Sequence, residues 1–151
     1  MKKKTFYSIG IAVVLLICII TYFKPLSLSD TTRDITQVKM VLCEYGIRNG
    51  EPYIDSTNYQ TVSEEQNSEI LSLFDKYTYR RNLGTLFSDG SMSGLGKETL
   101  NIYVYDGVSL KGTIFVASSG EIVVNDKNYS MENAEKFIEQ IVEIMAMKFN
   151  K

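Results

Sequence analysis

The first segment with a clear pattern is uncharged throughout. From Thr5 to Phe23 the chain places Phe6, Ile9, Ile11, Val13, Val14, Leu15, Leu16, Ile17, Ile19, Ile20 and Phe23 with no polar face. At about 1.5 Å per helical residue this run reaches roughly 28 Å, close to the thickness of a bilayer's hydrocarbon core. It predicts a transmembrane helix over 5–23, with Tyr7 and the Tyr22-Phe23 pair at headgroup level. Lys24 to Asp34 (KPLSLSDTTRD) is polar, contains proline and lacks periodicity, so 24–34 reads as a stalk.

Alternation of apolar and polar positions begins at Gln37. Val38, Met40 and Leu42 fall on one face and Gln37, Lys39, Val41 and Cys43 on the other, which predicts a strand over 37–45. Asn49-Gly50 signals a turn, and Pro52 to Ile54 reads as a short second strand paired through a longer loop. Tyr77 to Leu83, Thr99 to Tyr105, Ser109 to Ala117 and Glu121 to Asn125 read as further strands, with Asp106-Gly107 and Ser118-Ser119-Gly120 as turns.

Two segments switch to helical spacing. Ser63-Glu64-Glu65-Gln66 is a capping box, and Ile70, Leu71, Phe74 and Tyr77 follow it, predicting a helix over 64–76. Ser130 reads as the N-cap of a second helix over 131–149, with Ala134, Phe137, Ile138, Ile141 and Met145 on one side. Glu132, Glu135, Glu139 and Glu143 lie opposite, as a solvated face. Strands in runs, with helices between and after them, predict an α+β domain over 35–151. The expected architecture is an antiparallel sheet of four to six strands with both helices on one face.

Charge adds orientation and excludes partners. Lys2, Lys3 and Lys4 make 1–4 a cytoplasmic tail under the positive-inside rule, so the reading is a single-pass signal-anchor, N-inside and C-outside. The alternative is secretion after cleavage near Ser29, at the small residues Ser27-Leu28-Ser29, although the apolar run exceeds the usual 7 to 15 residues of a signal peptide. Ile17 before Cys18 is too large for a lipoprotein signal. From Pro25 onward the chain has 12 basic and 18 acidic residues, a net charge of −6. That balance disfavours nucleic acid as a partner. Cys43 is alone outside the apolar run, so no disulfide framework is expected, and it reads as a half-buried structural thiol.

Catalytic motifs fail on inspection. There is no histidine. The loop GSMSGLGKE, Gly90 to Glu98, misses a phosphate-binding loop twice, with Ser91 at the first glycine position and Glu98 after Lys97, and reads as a flexible hairpin loop without nucleotide. No lysine has a serine three residues before it, as Ser-x-x-Lys acyl transfer requires. Asn125-Asp126-Lys127-Asn128 gathers oxygens between a strand and a helix but lacks the glycine and terminal glutamate of a calcium loop, so it reads as a turn. No catalytic, metal or cofactor-binding residue is assigned, and no cofactor is expected. The candidate partner surface is Tyr79, Arg80, Arg81, Tyr103 and Tyr105, because Tyr and Arg anchor interfaces; cross-strand aromatic pairing explains the tyrosines equally well.

The span TLNIYVYDGVSLKGTIFVASSGEIVVNDKNYS, followed by an acidic amphipathic helix, resembles small membrane-anchored or lipid-anchored extracytoplasmic domains of unknown function in Gram-positive bacteria. The resemblance covers 34–148 and implies no activity and no catalytic residue. The expected function is that of a non-catalytic membrane protein, held in the bilayer through 5–23, whose outer domain binds an envelope protein or glycan. A membrane-tethered immunity or inhibitor protein is one alternative, and a cell-wall hydrolase the other.

Overall fold

The computed structural model describes residues 2–32, 35–61, 63–93 and 96–146, with side chains from residue 9 onward. Among these residues the chain forms an α+β fold with three α-helices and one eight-stranded antiparallel sheet. Helix α1 spans Lys2–Tyr22. Strand β1 is Leu26–Ser27, β2 Gln37–Arg48 and β3 Glu51–Gln60. Helix α2, Glu64–Lys76, leads into β4, Thr78–Arg80. A meander of β5 Glu98–Asp106, β6 Ser109–Ala117, β7 Glu121–Val124 and β8 Lys127–Met131 precedes α3, Ala134–Ala146. The strand order is β1-β4-β8-β7-β6-β5-β2-β3.

The sheet therefore exceeds the expected four to six strands by β1 and β8, and these two, like the lengthened β3, carry weak patterns. Strand β3 runs to Gln60 because it forms the outer strand of a long ribbon with β2, exposed on both sides and so without alternation. Asn49 and Gly50 both take positive φ, which closes that ribbon as a tight two-residue turn rather than a longer loop. Strand β8 occupies residues read as a turn and a helix start. Asn125 and Asp126 adopt positive φ and fold β7 onto β8, and Ser130 pairs with Arg80 and Glu121 instead of capping α3. Strand β4 covers only Thr78–Arg80 of the expected 77–83.

The described part of 24–34 is not a stalk. Leu26 and Ser27 pair with Tyr79 and Thr78, a 3-10 turn follows at Leu28–Thr31, and Leu28 is buried in the core with Thr32 beside it. A Leu side chain fully removed from water contributes about 1.5 to 3 kcal/mol, enough to hold this short segment on the domain.

One face of the sheet and both helices enclose the core. Val38, Met40, Leu42, Leu100, Ile102, Val104, Ile114, Val116 and Ile122 point from the strands toward Ile70, Leu73 and Phe74 of α2 and Phe137, Ile138 and Ile141 of α3. The Phe137 ring packs 5.9 Å from Phe74 and 5.0 Å from Tyr77. At the start of α2 the Ser63 hydroxyl accepts from the Gln66 amide at 3.2 Å, as its sequence predicts. The Gln66 side chain donates across to the Ile144 carbonyl, tying α2 to α3. Helix α3 starts at Ala134, after Asn133 turns the chain at positive φ; its expected end at 147–149 lies outside the described residues.

Helix α1 stands apart from this core, with Ile9 to Ile20 exposed on every side. Its last turn is fixed to the strand β4 end, where the Arg81 guanidinium donates to the Tyr22 carbonyl at 3.2 Å and lies 5.5 Å over the Tyr22 ring. A cation at a helix C-terminus opposes the negative end of its dipole. Among the described residues no helix is long and apolar enough to cross a membrane. The described residues therefore do not support the transmembrane helix read from the sequence over 5–23.

Candidate functional site

Helices α2 and α3 lie on the core face, so among the described residues neither covers the opposite face of the sheet. Antiparallel register puts directly opposed residues on the same side, and the uncovered rows follow from it. Lys39 faces Gln60 and Tyr103, and Tyr103 faces Thr113. In the next row Val41 stands between Asn58 and Asn101, and Asn101 faces Phe115. Tyr103 meets Phe115 edge-on at 6.0 Å, and the Lys39 ammonium sits 5.0 Å from the Tyr105 ring centroid. A shallow depression of about 590 Å³ lies among Lys39, Val41, Asn58, Gln60, Tyr103 and Tyr105.

The far end of this face is closed by the loop after β4. Asn128 and Glu121 project onto the same side as Val123, and both hold the loop down. Asn128 Oδ1 accepts from the Gly90 amide at 3.1 Å, its amide nitrogen donates to the Ser91 carbonyl and to Glu121, and Glu121 accepts from the Ser93 amide at 2.9 Å. Val123 is 1% exposed beneath it. The stretch read as a flexible hairpin loop, Gly90 to Glu98, is thus pinned at 90–93, and at its other end Ser118 Oγ accepts from the Lys97 and Glu98 amides. An Asx turn within it, Ser91 N–H to Asp89 Oδ1 at 2.9 Å, holds the Asp89 carboxyl below the usual carboxylate range. The open area that remains lies over β3, β2, β5 and β6.

The structure divides the five residues singled out from the sequence. Tyr103 and Tyr105 lie together on the open face. Tyr79 points the other way, buried in the core and edge-on to Tyr129 at 4.8 Å, and burial pushes its phenol above the ordinary value despite a hydrogen bond with Thr31. Arg80 is exposed, 3.7 Å from Glu132, and Arg81 is committed to Tyr22. Strands β4 and β5 are four steps apart in the sheet, roughly 19 Å. Lys39, Val41, Asn101 and Phe115, which the structure adds to the two tyrosines, occupy the polar-side positions of strands already recognised by alternation. Only the register between strands assembles them.

This face can bind by stacking, cation–π contact and amide hydrogen bonding. Cys43, a free thiol, is half-buried on it, 4.0 Å from the Asn101 amide nitrogen. Among the described residues no three His, Cys, Asp or Glu side chains are grouped to hold a metal ion. The nearest concentration of carboxylates is on the other side of the sheet, where Glu98 sits across from Glu44 and near Glu135 and Glu139. Burial first, then these like charges, hold the Glu98 carboxyl above its usual range, with Lys97 opposing them.

No known protein family matches the chain, and no curated protein or solved structure is detectably similar to it.

Proposed function

We propose that this chain is a single-pass membrane protein, N-inside and C-outside, whose outer α+β domain binds an envelope protein or glycan through the open face around Tyr103, Tyr105, Lys39 and Phe115, without catalysis of its own. The observation that carries the anchor is the exposure of α1 on all sides. Ile9, Ile11, Val13, Val14, Leu15, Leu16, Ile17, Ile19 and Ile20 each leave about half or more of their surface uncovered. At roughly 0.3 to 0.6 kcal/mol favourable per residue near a helix centre, those nine contribute about 3 to 5 kcal/mol to insertion, and the uncharged Thr5 to Ser8 extend the run. The open face supports the binding role because aromatic rings, a lysine and amides share one uncovered surface.

Two measurements test this. A protease-cleavable tag after Lys151 should be digested in intact cells, and a protected tag would overturn the orientation. A photo-crosslinking residue at Thr113, beside Tyr103 on the open face, should trap a partner in native membranes that Tyr103→Ala/Tyr105→Ala no longer captures. Adducts that persist in the double variant, or none above background from any position on the face, would sink the binding role.

A further inference from the structure

The second 3-10 turn, Leu83–Leu86, is built backwards for a surface loop in water. Its polar groups are satisfied within the domain. Asn82 Oδ1 accepts from the Thr85 amide at 2.9 Å, Thr85 Oγ1 accepts from the Asn82 amide at 3.0 Å, and the Asn82 side chain donates to Ser130 at 3.1 Å. Thr85 is buried, and the Ser88 hydroxyl donates to its carbonyl. The large apolar side chains face outward instead: Leu83 is 73% exposed, Leu86 59% and Phe87 88%. Single exposed apolar residues are ordinary, but three within five positions form a patch that calls for a covering surface.

Register locates that patch. The turn begins at Asn82, whose carbonyl lies 3.5 Å from the Tyr22 hydroxyl, and Arg81 binds the last turn of α1. Strand β1 enters the sheet at Leu26 from this same end, where β8 begins at Lys127. Following the pairs across β7, β6 and β5 brings the Gly107-Val108 tip to this end too, with Val108 wholly exposed. The β2–β3 ribbon tip, carrying Ile47 and Ile54, points to the opposite end. Leu83, Leu86 and Phe87 therefore lie beside the exit of α1, together with Phe23, Lys24 and Arg81.

We infer that the turn bearing Leu83, Leu86 and Phe87 is a second membrane contact, seated in the headgroup and upper acyl region of the bilayer that α1 crosses. The inference rests on the anchor proposed above. An element at that depth must satisfy its polar groups internally and present apolar side chains to lipid, and the Asn82–Thr85 cap does the first while the three side chains do the second. Aromatic and basic groups at Tyr22, Phe23, Lys24 and Arg81 suit the same level. Asp89, Asp106 and Asp126, acids nearby in sequence or at the same sheet end, are exposed and can remain in water, Asp106 beside Lys111 at 3.4 Å.

The test uses the full chain with Cys18→Ser and Cys43→Ser, reconstituted in vesicles of phosphatidylethanolamine and phosphatidylglycerol. An environment-sensitive fluorophore is attached through Phe87→Cys, Ile47→Cys or Val14→Cys in separate preparations, and nitroxide lipids quench at headgroup or deep acyl level. Headgroup-level quenching at position 87 should exceed that at position 47 by at least about twofold, with blue-shifted emission, as for a side chain 5 to 10 Å into the interface. Deep quenching at position 14 checks the anchor separately. If position 14 is quenched and position 87 is as accessible to water as position 47, the seat is refuted and the anchor stands. If position 14 is not quenched, the anchor fails and the seat with it. Emission at position 87 that shifts only with protein-to-lipid ratio, without lipid quenching, would assign the patch to a second copy and overturn the inference.

Discussion

Neighbouring residues on β5 should respond very differently to truncation. Ile102 is fully buried against the helices, and Ile102→Ala removes three heavy atoms from a packed core, at a cost of about 2 to 5 kcal/mol. Tyr103 faces the other way, and Tyr103→Thr puts a β-branched residue of good strand propensity in its place while losing the edge-on contact with Phe115, worth about 0.5 to 1.5 kcal/mol. With a urea dependence of about 1.5 kcal/mol per molar, the midpoint should fall by roughly 1 to 3 M for the first variant and by less than about 1 M for the second. Near-UV circular dichroism of the full chain in mild detergent micelles reports the domain's tyrosines without interference from tryptophan, which the chain lacks. Equal shifts would mean that Tyr103 is covered and that no open face exists. A small shift for Ile102→Ala would place the core elsewhere.

Two further outcomes follow from the electrostatics and the pinned loop. Glu98 has a folded-state pKa raised above its unfolded value of 4.5, so its contribution to stability is full below that value and is lost as pH rises through the folded pKa. Glu98→Gln should be more stable than the parent at pH 7 by less than about 1 kcal/mol, given the partial exposure of the site, and equal to it near pH 4; a less stable variant at pH 7 would contradict the repulsion. Asn128→Ala removes the acceptor of the Gly90 amide and the donor to Ser91 and Glu121, at about 1 to 3 kcal/mol. Hydrogen exchange at Gly90 and Ser93 should then accelerate while Ile102 stays protected, and unchanged exchange at Gly90 would show that other contacts hold the loop.

Where periodicity was strong, the sequence carried the fold to within about three residues: α3 starts three residues after its expected first residue, and β2 runs three residues past its expected end. Helix α2 and strand β6 have the boundaries read from spacing, and β5 gains one residue at each end. The misses share a physical cause, which is that pattern reports partial burial and little else. Strand β3, exposed on both sides, offers no alternation, and Leu26–Ser27 is too short to show any. In β8, Lys127 and Asn128 read as the end of a turn and Ser130 as a helix cap because polar side chains there serve the neighbouring loop, Asn128 at Gly90 and Ser91 and Ser130 at Asn82. The candidate surface was half legible. Tyr103 and Tyr105 stood out as aromatic residues two apart in a strand, but Tyr79 shares their chemistry and not their face. Its direction depends on pairing with Met131 and Leu26, which are distant in sequence.

Only Phe23, Lys24 and Pro25 separate α1 from β1, and Arg81 closes the gap from the other side. On the membrane-anchored reading proposed above, a domain joined so closely to its helix turns with it, so rotation or tilt of α1 would re-aim the open face as a lever does. On the same proposal, search for a membrane-bound partner takes place in two dimensions at nearly fixed height. Confinement of that kind raises effective concentration without any new contact, so even a modest intrinsic affinity at Tyr103 and Tyr105 would suffice for occupancy.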